Sequence, residues 1–147
     1  MKVICDRAAL LDGINLVSGV VAARTPRPQL TCVKLDARKV GDAGELTLSA
    51  TDAEISLVLH SARVDVEEEG EALIPADKLR QIVSAEDAEP TLTLESEGDV
   101  CHIRGEDAHF RLVGYPAGEF PGAPEFESVA RDARCVIPIQ AGPLGEM

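Results

Sequence analysis

Apolar and polar residues alternate along much of this chain. In "ELTLSA" Leu46 and Leu48 fall on one face and Thr47 and Ser49 on the other. "EISLVLH" repeats the pattern with Ile55, Leu57 and Leu59, "TLTLE" with Leu92 and Leu94, and "HFRLVG" with Phe110 and Leu112. Successive side chains of a strand point to opposite faces, so short runs of period two predict antiparallel strands with one face buried. Between them, "GDAGE" at 41–45 and "EGD" at 97–99 read as hairpin turns.

Two stretches have helical spacing instead. "DRAALLDGINLVSGV" brings Leu10, Ile14, Val17 and Val21 to one face, with Asp6 as N-cap. Gly13 weakens this helix by about 1 kcal/mol relative to alanine. "PADKLRQIVSA" places Pro75 at the first helical position, where its missing N–H is harmless, and makes Leu79, Ile82 and Val83 the buried stripe.

The order of these elements repeats. A strand at "KVIC" leads into the first helix and then into strands near 29–37, 45–50 and 54–60. "ALIP" leads into the second helix and then into strands near 91–95, 100–104 and 108–113. Residues 62–67 add an edge strand or extend the one before. A strand-helix-three-strand unit used twice predicts two halves, each one sheet under one helix, in an α+β domain. Pro116, Pro121 and Pro124, with Gly114, Gly118 and Gly122, then predict a linker or rim loop. Behind it, "CVIPIQAGPLGEM" starts the unit again, Val136, Ile137 and Pro138 echoing Leu73, Ile74 and Pro75. The expected organisation is one domain over 1–126, then a linker and the first strand of a second, truncated domain over 127–147.

Composition narrows the class. With 147 residues, 45% hydrophobic and 27% charged, the chain can bury a core, and at 3% aromatic content that core is aliphatic. No apolar run is long enough to span a bilayer, and the opening run before Asp6 is too short for a secretory signal, so the expected location is the cytoplasm, away from membranes. A net charge of −12 argues against nonspecific coating of nucleic acid, but permits positive charge confined to one face. The acidic run "DVEEEGE" at 65–71 suits an outer loop or a plain solvated turn.

Candidate chemistry is sparse. Cys5, Cys32, Cys101 and Cys135 are widely spaced and are expected to be buried free thiols. Cys101, His102 and His109 cluster without a further ligand pattern, so no metal or other cofactor is expected. Asp52 and Glu54, if extended, would share a face about 7 Å apart, within the range of paired glycosidase carboxylates. No nucleophile triad, phosphate loop or zinc spacing accompanies them, and Asp52 reads better as a turn residue accepting backbone hydrogen bonds.

The opening "MKVICDRAALLDGINLVSGVVAAR", the following "RPQL", and then "LSATDAEISL", "ALIPADKL" and "FRLVGYPAGEFP" form an ordered set. With these motifs the chain resembles the N-terminal domain of the bacterial sliding clamp family, the beta subunit of DNA polymerase III. The resemblance implies the DNA-clamp fold, with two helices on one side and two antiparallel sheets on the other. It implies a non-catalytic processivity factor, whose chains pair head to tail in a ring that encircles duplex DNA, slides on it and tethers the replicative polymerase. The implied partners are double-stranded DNA of any sequence, a second clamp chain, and DNA polymerase III and the clamp loader through the family's later domains. The alternative is a stand-alone protein-interaction module on the same fold without ring closure.

The resemblance also implies site residues. Arg24 follows the first helix where relatives carry a DNA-touching arginine, and Arg27 shares its loop. Arg7 and Lys78, at the starts of the two helices, are further DNA-binding candidates. Asp12, Asp77 and Ser84 stand where relatives often carry basic residues, so this helical face is less basic than the family norm. Phe110, Leu112 and Ile82 match positions that pack across the subunit boundary, although alternation alone also assigns Phe110 and Leu112 to the core.

Overall fold

Asp6 ends a strand and starts a helix in one step. Its extended backbone closes β1 (Lys2–Asp6), and its carboxylate accepts a hydrogen bond from Ala9 N at 2.8 Å, capping α1 (Arg7–Ser18). The chain continues through a 3₁₀ turn at Pro28–Thr31 into β2 (Cys32–Val40), β3 (Ala43–Thr51), β4 (Ser56–Ser61) and β5 (Val64–Glu68). The second half is β6 (Gly70–Pro75), α2 (Ala76–Ala85), β7 (Thr91–Glu97), β8 (Val100–Arg104) and β9 (His109–Val113), followed by α3 (Phe126–Asp132). This computed structural model describes residues 1–21, 24–61, 64–122 and 126–142.

Pro75 differs from its expected place by one residue. It is the N-cap of α2, with ψ at 120°, and the helix begins at Ala76. The reason is its strand partner: Pro75 still lies opposite Cys32 of β2, which holds its backbone extended.

The sheets do not follow the halves. One has the order β5-β1-β7-β8-β9 and the other β4-β3-β2-β6, all pairs antiparallel. Each half's three-strand meander therefore takes its fourth strand from the other half, correcting the expectation of one sheet per half. The exchange covers the inner edges of β2 and β7, which would otherwise present unpaired N–H and C=O groups. Of the segment near 62–67, residues 62 and 63 lie outside the described residues, and the rest belongs to a separate strand, β5, which joins the sheet opposite to that of β4.

The core lies between the sheets and the helices and is aliphatic. Val3, Leu92, Leu94 and Ile103 enter it from the first sheet, and Leu35, Leu46, Leu48 and Ile74 from the second. From the helices come Leu10, Ile14 and Val17 of α1 and Leu79 and Val83 of α2. Gly13 is buried, and a Cβ there would stand 3.2 Å from Leu59 Cδ2, so the missing side chain lets α1 approach β4. The predicted stripes of both helices are thus at the core, with Ile82 and Val21 half-buried beside it.

Ile55 is 60% exposed, against the expectation that it joins Leu57 and Leu59 on the inner face. The strand starts at Ser56, two residues later than expected, because a turn closed by Asp52 takes up Glu54 and Ile55 first. Cys5, Cys32 and Cys101 are buried free thiols, and burial pushes Cys5 and Cys101 up to about 12, so their nucleophilic thiolate form is suppressed. Cys135 is exposed, contrary to expectation, because it follows α3 on a segment outside the core. The strand predicted at 135–139 does not form in this structure; Val136, Ile137 and Ile139 are exposed and pair with no strand among the described residues. An apolar strand needs a neighbouring strand to take its backbone groups. Residues 143–147, where the sequence predicts the next helix, lie outside the described residues.

Candidate nucleic-acid interface

Arg7, at the start of α1, donates from Nη1 to the carbonyl of Val83 in the last turn of α2 at 3.0 Å. The backbone N–H of the same residue donates to Pro90 O beyond α2 at 3.0 Å. These contacts set the two helices side by side and antiparallel. Their sheet-facing stripes are buried, and the groove between them, lined by Asn15, Arg80, Gln81, Ser84 and Ala85, is open to solvent. Both helices therefore share one exposed side.

The charges on that side are mixed. The helices carry Arg7, Lys78 and Arg80 against Asp12 and Asp77. Asp77 sits in the first turn of α2, where the helix dipole favours a carboxylate by about 0.3–1 kcal/mol. Arg24, Arg27, Lys78 and Arg80 are exposed, and among the described residues none of them forms an ion pair. Arg27 also has its backbone N–H held by Thr25 Oγ1 at 3.1 Å. Arg7 is half-buried and partly committed to Val83, which makes it first a strap between helices. Sequence reading passed over Arg80. Its place one turn from Asp77 and Ser84 on the same helical stripe was the available signal.

The sheet edges give a second feature. β9 ends one sheet and β4 the other, each the outer strand of its half's three-strand meander. Phe110 and Leu112 on β9 and Ile82 on α2 are half-buried and packed against the core, leaving an apolar rim at that edge. Leu57 and Leu59 on β4 form the matching rim, beside a cavity of about 470 Å³ bounded by Leu16, Leu59 and Val64. The sequence pattern assigns Leu57 and Leu59 to a closed core; that β4 is an edge strand becomes visible only from the sheet order.

The Asp52 turn is structural. Asp52 Oδ1 accepts from Glu54 N at 2.9 Å and Ile55 N at 2.7 Å, while buried Thr51 Oγ1 accepts from Ala53 N at 3.1 Å and donates to Ile55 O at 2.9 Å. Ala53 takes φ 79°, the left-handed region, to close it. The two N–H donors hold the Asp52 carboxyl below its ordinary value of 3.8. A depressed folded value means stability that is present above 3.8 and is lost as pH falls through the folded value. Asp52→Asn is expected to be less stable than the parent at neutral pH, with the gap closing as the solution is acidified below 3.8, measured by urea unfolding across pH. A gap that stays constant with pH would remove the carboxylate's charge from the turn's stability.

A crystal structure of the DNA polymerase III subunit beta from Pseudomonas aeruginosa matches this fold with a TM-score of 0.76 at 32% identity, over 85% of this chain and 33% of that one. The architecture, two antiparallel sheets backed by two helices, is the α+β DNA-clamp fold. The beta sliding clamp of Synechocystis sp. is 35% identical over 136 residues, covering 88% of this chain and 34% of the relative. That of Escherichia coli strain K12 is 30% identical over 128 residues, covering 87% and 34%. The family model described as "DNA polymerase III beta subunit, N-terminal domain" matches residues 1–124, and the chain belongs to that family. It spans about one third of the length of the curated relatives it matches.

Proposed function

We propose that this protein is one link of a DNA-encircling ring that acts as a processivity factor in chromosome replication. The observation that carries the reading is the pairing of two apolar sheet rims, at β4 and β9, with a helical side bearing free cations. A unit with two open rims continues on both sides, and repetition of such units closes a ring. Its helical side then faces the hole, where Arg24, Arg27, Lys78 and Arg80 make loose phosphate contacts and Arg7 adds its remaining N–H groups. Contacts of this kind ignore sequence and exchange easily, which suits sliding on duplex DNA. Asp12 and Asp77 keep the grip weak.

In this reading Phe110, Leu112 and Ile82 meet a second clamp chain arranged head to tail. Residues 1–126 are the first clamp domain, and 127–147 a linker whose 135–139 run, without a strand neighbour here, becomes the first strand of a second domain once one is supplied. DNA polymerase III and the clamp loader are held by other parts of the intact product, in the cytoplasm, and the clamp itself does no chemistry.

The test uses the intact gene product on a nicked circular plasmid. It is expected to stay bound through gel filtration at moderate salt and to slip off when the plasmid is linearised. Equal retention on circular and linear DNA would sink the ring. Arg24→Ala with Lys78→Ala is expected to shorten retention at every sequence and to lower the salt dependence by about one unit of log–log slope per lost phosphate contact.

A further inference from the structure

Two of the three histidines in this chain touch. His102 on β8 and His109 on β9 bring Nδ1 and Nε2 to 2.8 Å, with ring centroids 5.0 Å apart and planes inclined by 37°. The hairpin register makes the pair: His102 lies opposite Arg111 and Arg104 opposite His109, so the imidazoles are diagonal neighbours. They stand on the outer side of the sheet, since Cys101 and Ile103 between them in the alternation fill the core.

We propose that His102 and His109 form a two-point chelating site for Ni(II) or Cu(II). A neutral imidazole nitrogen binds a first-row metal at about 2.0–2.1 Å. Two such nitrogens at a right angle about the metal stand about 2.9 Å apart, whereas the tetrahedral angle spreads them to about 3.3 Å. The observed 2.8 Å, held now by an N–H···N hydrogen bond, already brings the two nitrogens within the span that one first-row ion bridges. A donor set of two imidazoles and water oxygens is the N,O kind that square-planar or tetragonal Ni(II) and Cu(II) take, where structural Zn(II) asks for a closed tetrahedron. The ring that donates the present N–H···N bond passes its proton through solvent to its own outer nitrogen. A rotation of each ring about its Cβ–Cγ bond then turns both lone pairs from one another to a common point beside the present hydrogen bond, where the metal sits.

Water completes the coordination, since the described residues hold no cluster of three potential ligands. The neighbouring charges leave room for a cation. Arg104 is drawn toward Glu95 at 3.6 Å, and Arg111 is exposed and free to extend into water. Competing ligands are separate. The N-terminal amine lies within 3.5 Å of Ser96 O and 3.8 Å of Glu68, and His60 is on the other sheet, beside Glu45 and Thr47. Cys135 is the exposed thiol, so the test is made on the Cys135→Ser chain.

Calorimetric titration with Ni(II) is expected to give one ion per chain and a nickel-dependent rise in melting temperature. His102→Ala and His109→Ala, on different strands, are each expected to lower the affinity at least about tenfold, because the second ligand no longer binds intramolecularly. Both are expected to lose the rise in melting temperature while keeping the metal-free one. His60→Ala is expected to change neither, and Zn(II) to bind more weakly. Full Ni(II) affinity in either pair variant, its loss in His60→Ala, or tighter binding of Zn(II) than Ni(II) would each overturn the site.

Discussion

Gly114→Ala is expected to destabilise the folded chain by about 3 kcal/mol or more, the scale of a backbone that must move. A Cβ at this position would overlap the carbonyl oxygen of Leu73, which is part of β6 and has no flexible end to swing away. That carbonyl accepts the N–H of Tyr115 at 3.0 Å, while Gly114 N donates to Asp99 O at 2.7 Å. Gly114 is thus where the chain leaving β9 is stitched to β6 of the other sheet. Alanine must break one or both hydrogen bonds, at about 1–3 kcal/mol for each buried group left without a partner. The smaller unfolded-state entropy of alanine returns only about 0.4–1 kcal/mol. For a chain of this size about 3 kcal/mol lowers the melting temperature by roughly 6–12 °C, which calorimetry resolves. Gly118→Ala, with open space around it, is the control and is expected to be near neutral. A Gly114→Ala protein melting with the control would show that the contact relaxes without loss.

The sequence made the faces of the strands legible but not their partners. "TLTLE" told that Leu92 and Leu94 go inward, and they are fully buried. Nothing in it told that β7 would pair with β1 of the other half. Alternation fixes which side of a strand is apolar, whereas pairing depends on where a helix sets the chain down again. The same gap explains β4 and β9. Leu57, Leu59, Phe110 and Leu112 obey the alternation of core strands, yet remain half-buried where, among the described residues, no strand lies beyond them. The turn before β4 hid in another way: the left-handed Ala53 and the hydrogen bonds of Asp52 take up Glu54 and Ile55, moving the start of the strand by two residues.

The candidate DNA residues were legible through resemblance and not through chemistry. Arg24, Arg27 and Lys78 carry no pattern that separates them from ordinary surface cations, and Arg80 was missed although the helix places it on the open groove. Arg7 shows why spacing alone misleads, since its guanidinium reaches across to Val83. His102 and His109 are seven residues apart, and only the β8–β9 register brings their nitrogens together.

The second large effect concerns the β9 rim. Phe110→Ala with Leu112→Ala, in the intact gene product, is expected to weaken association of clamp chains by about a hundredfold or more, equivalent to roughly 3 kcal/mol. Both side chains point toward α2 and pack only partly against the core, so part of each apolar surface is left for a partner. Full burial of a large apolar side chain is worth about 1.5–3 kcal/mol, and the exposed portions of two of them account for the stated loss once the gap left at the interface is included. The domain itself loses less, because Ile103, Leu94 and Leu79 close the core beneath them. Sedimentation or light scattering across a concentration series reads the dissociation, and circular dichroism checks that the fold persists. The matching change at the other rim, Leu57→Ala with Leu59→Ala, separates the two edges. If β9 joins chains, only the first pair shifts the dimer. If both pairs leave the dissociation constant unchanged while the fold is intact, the rims are core that happens to be shallow, and the ring must close through other surfaces.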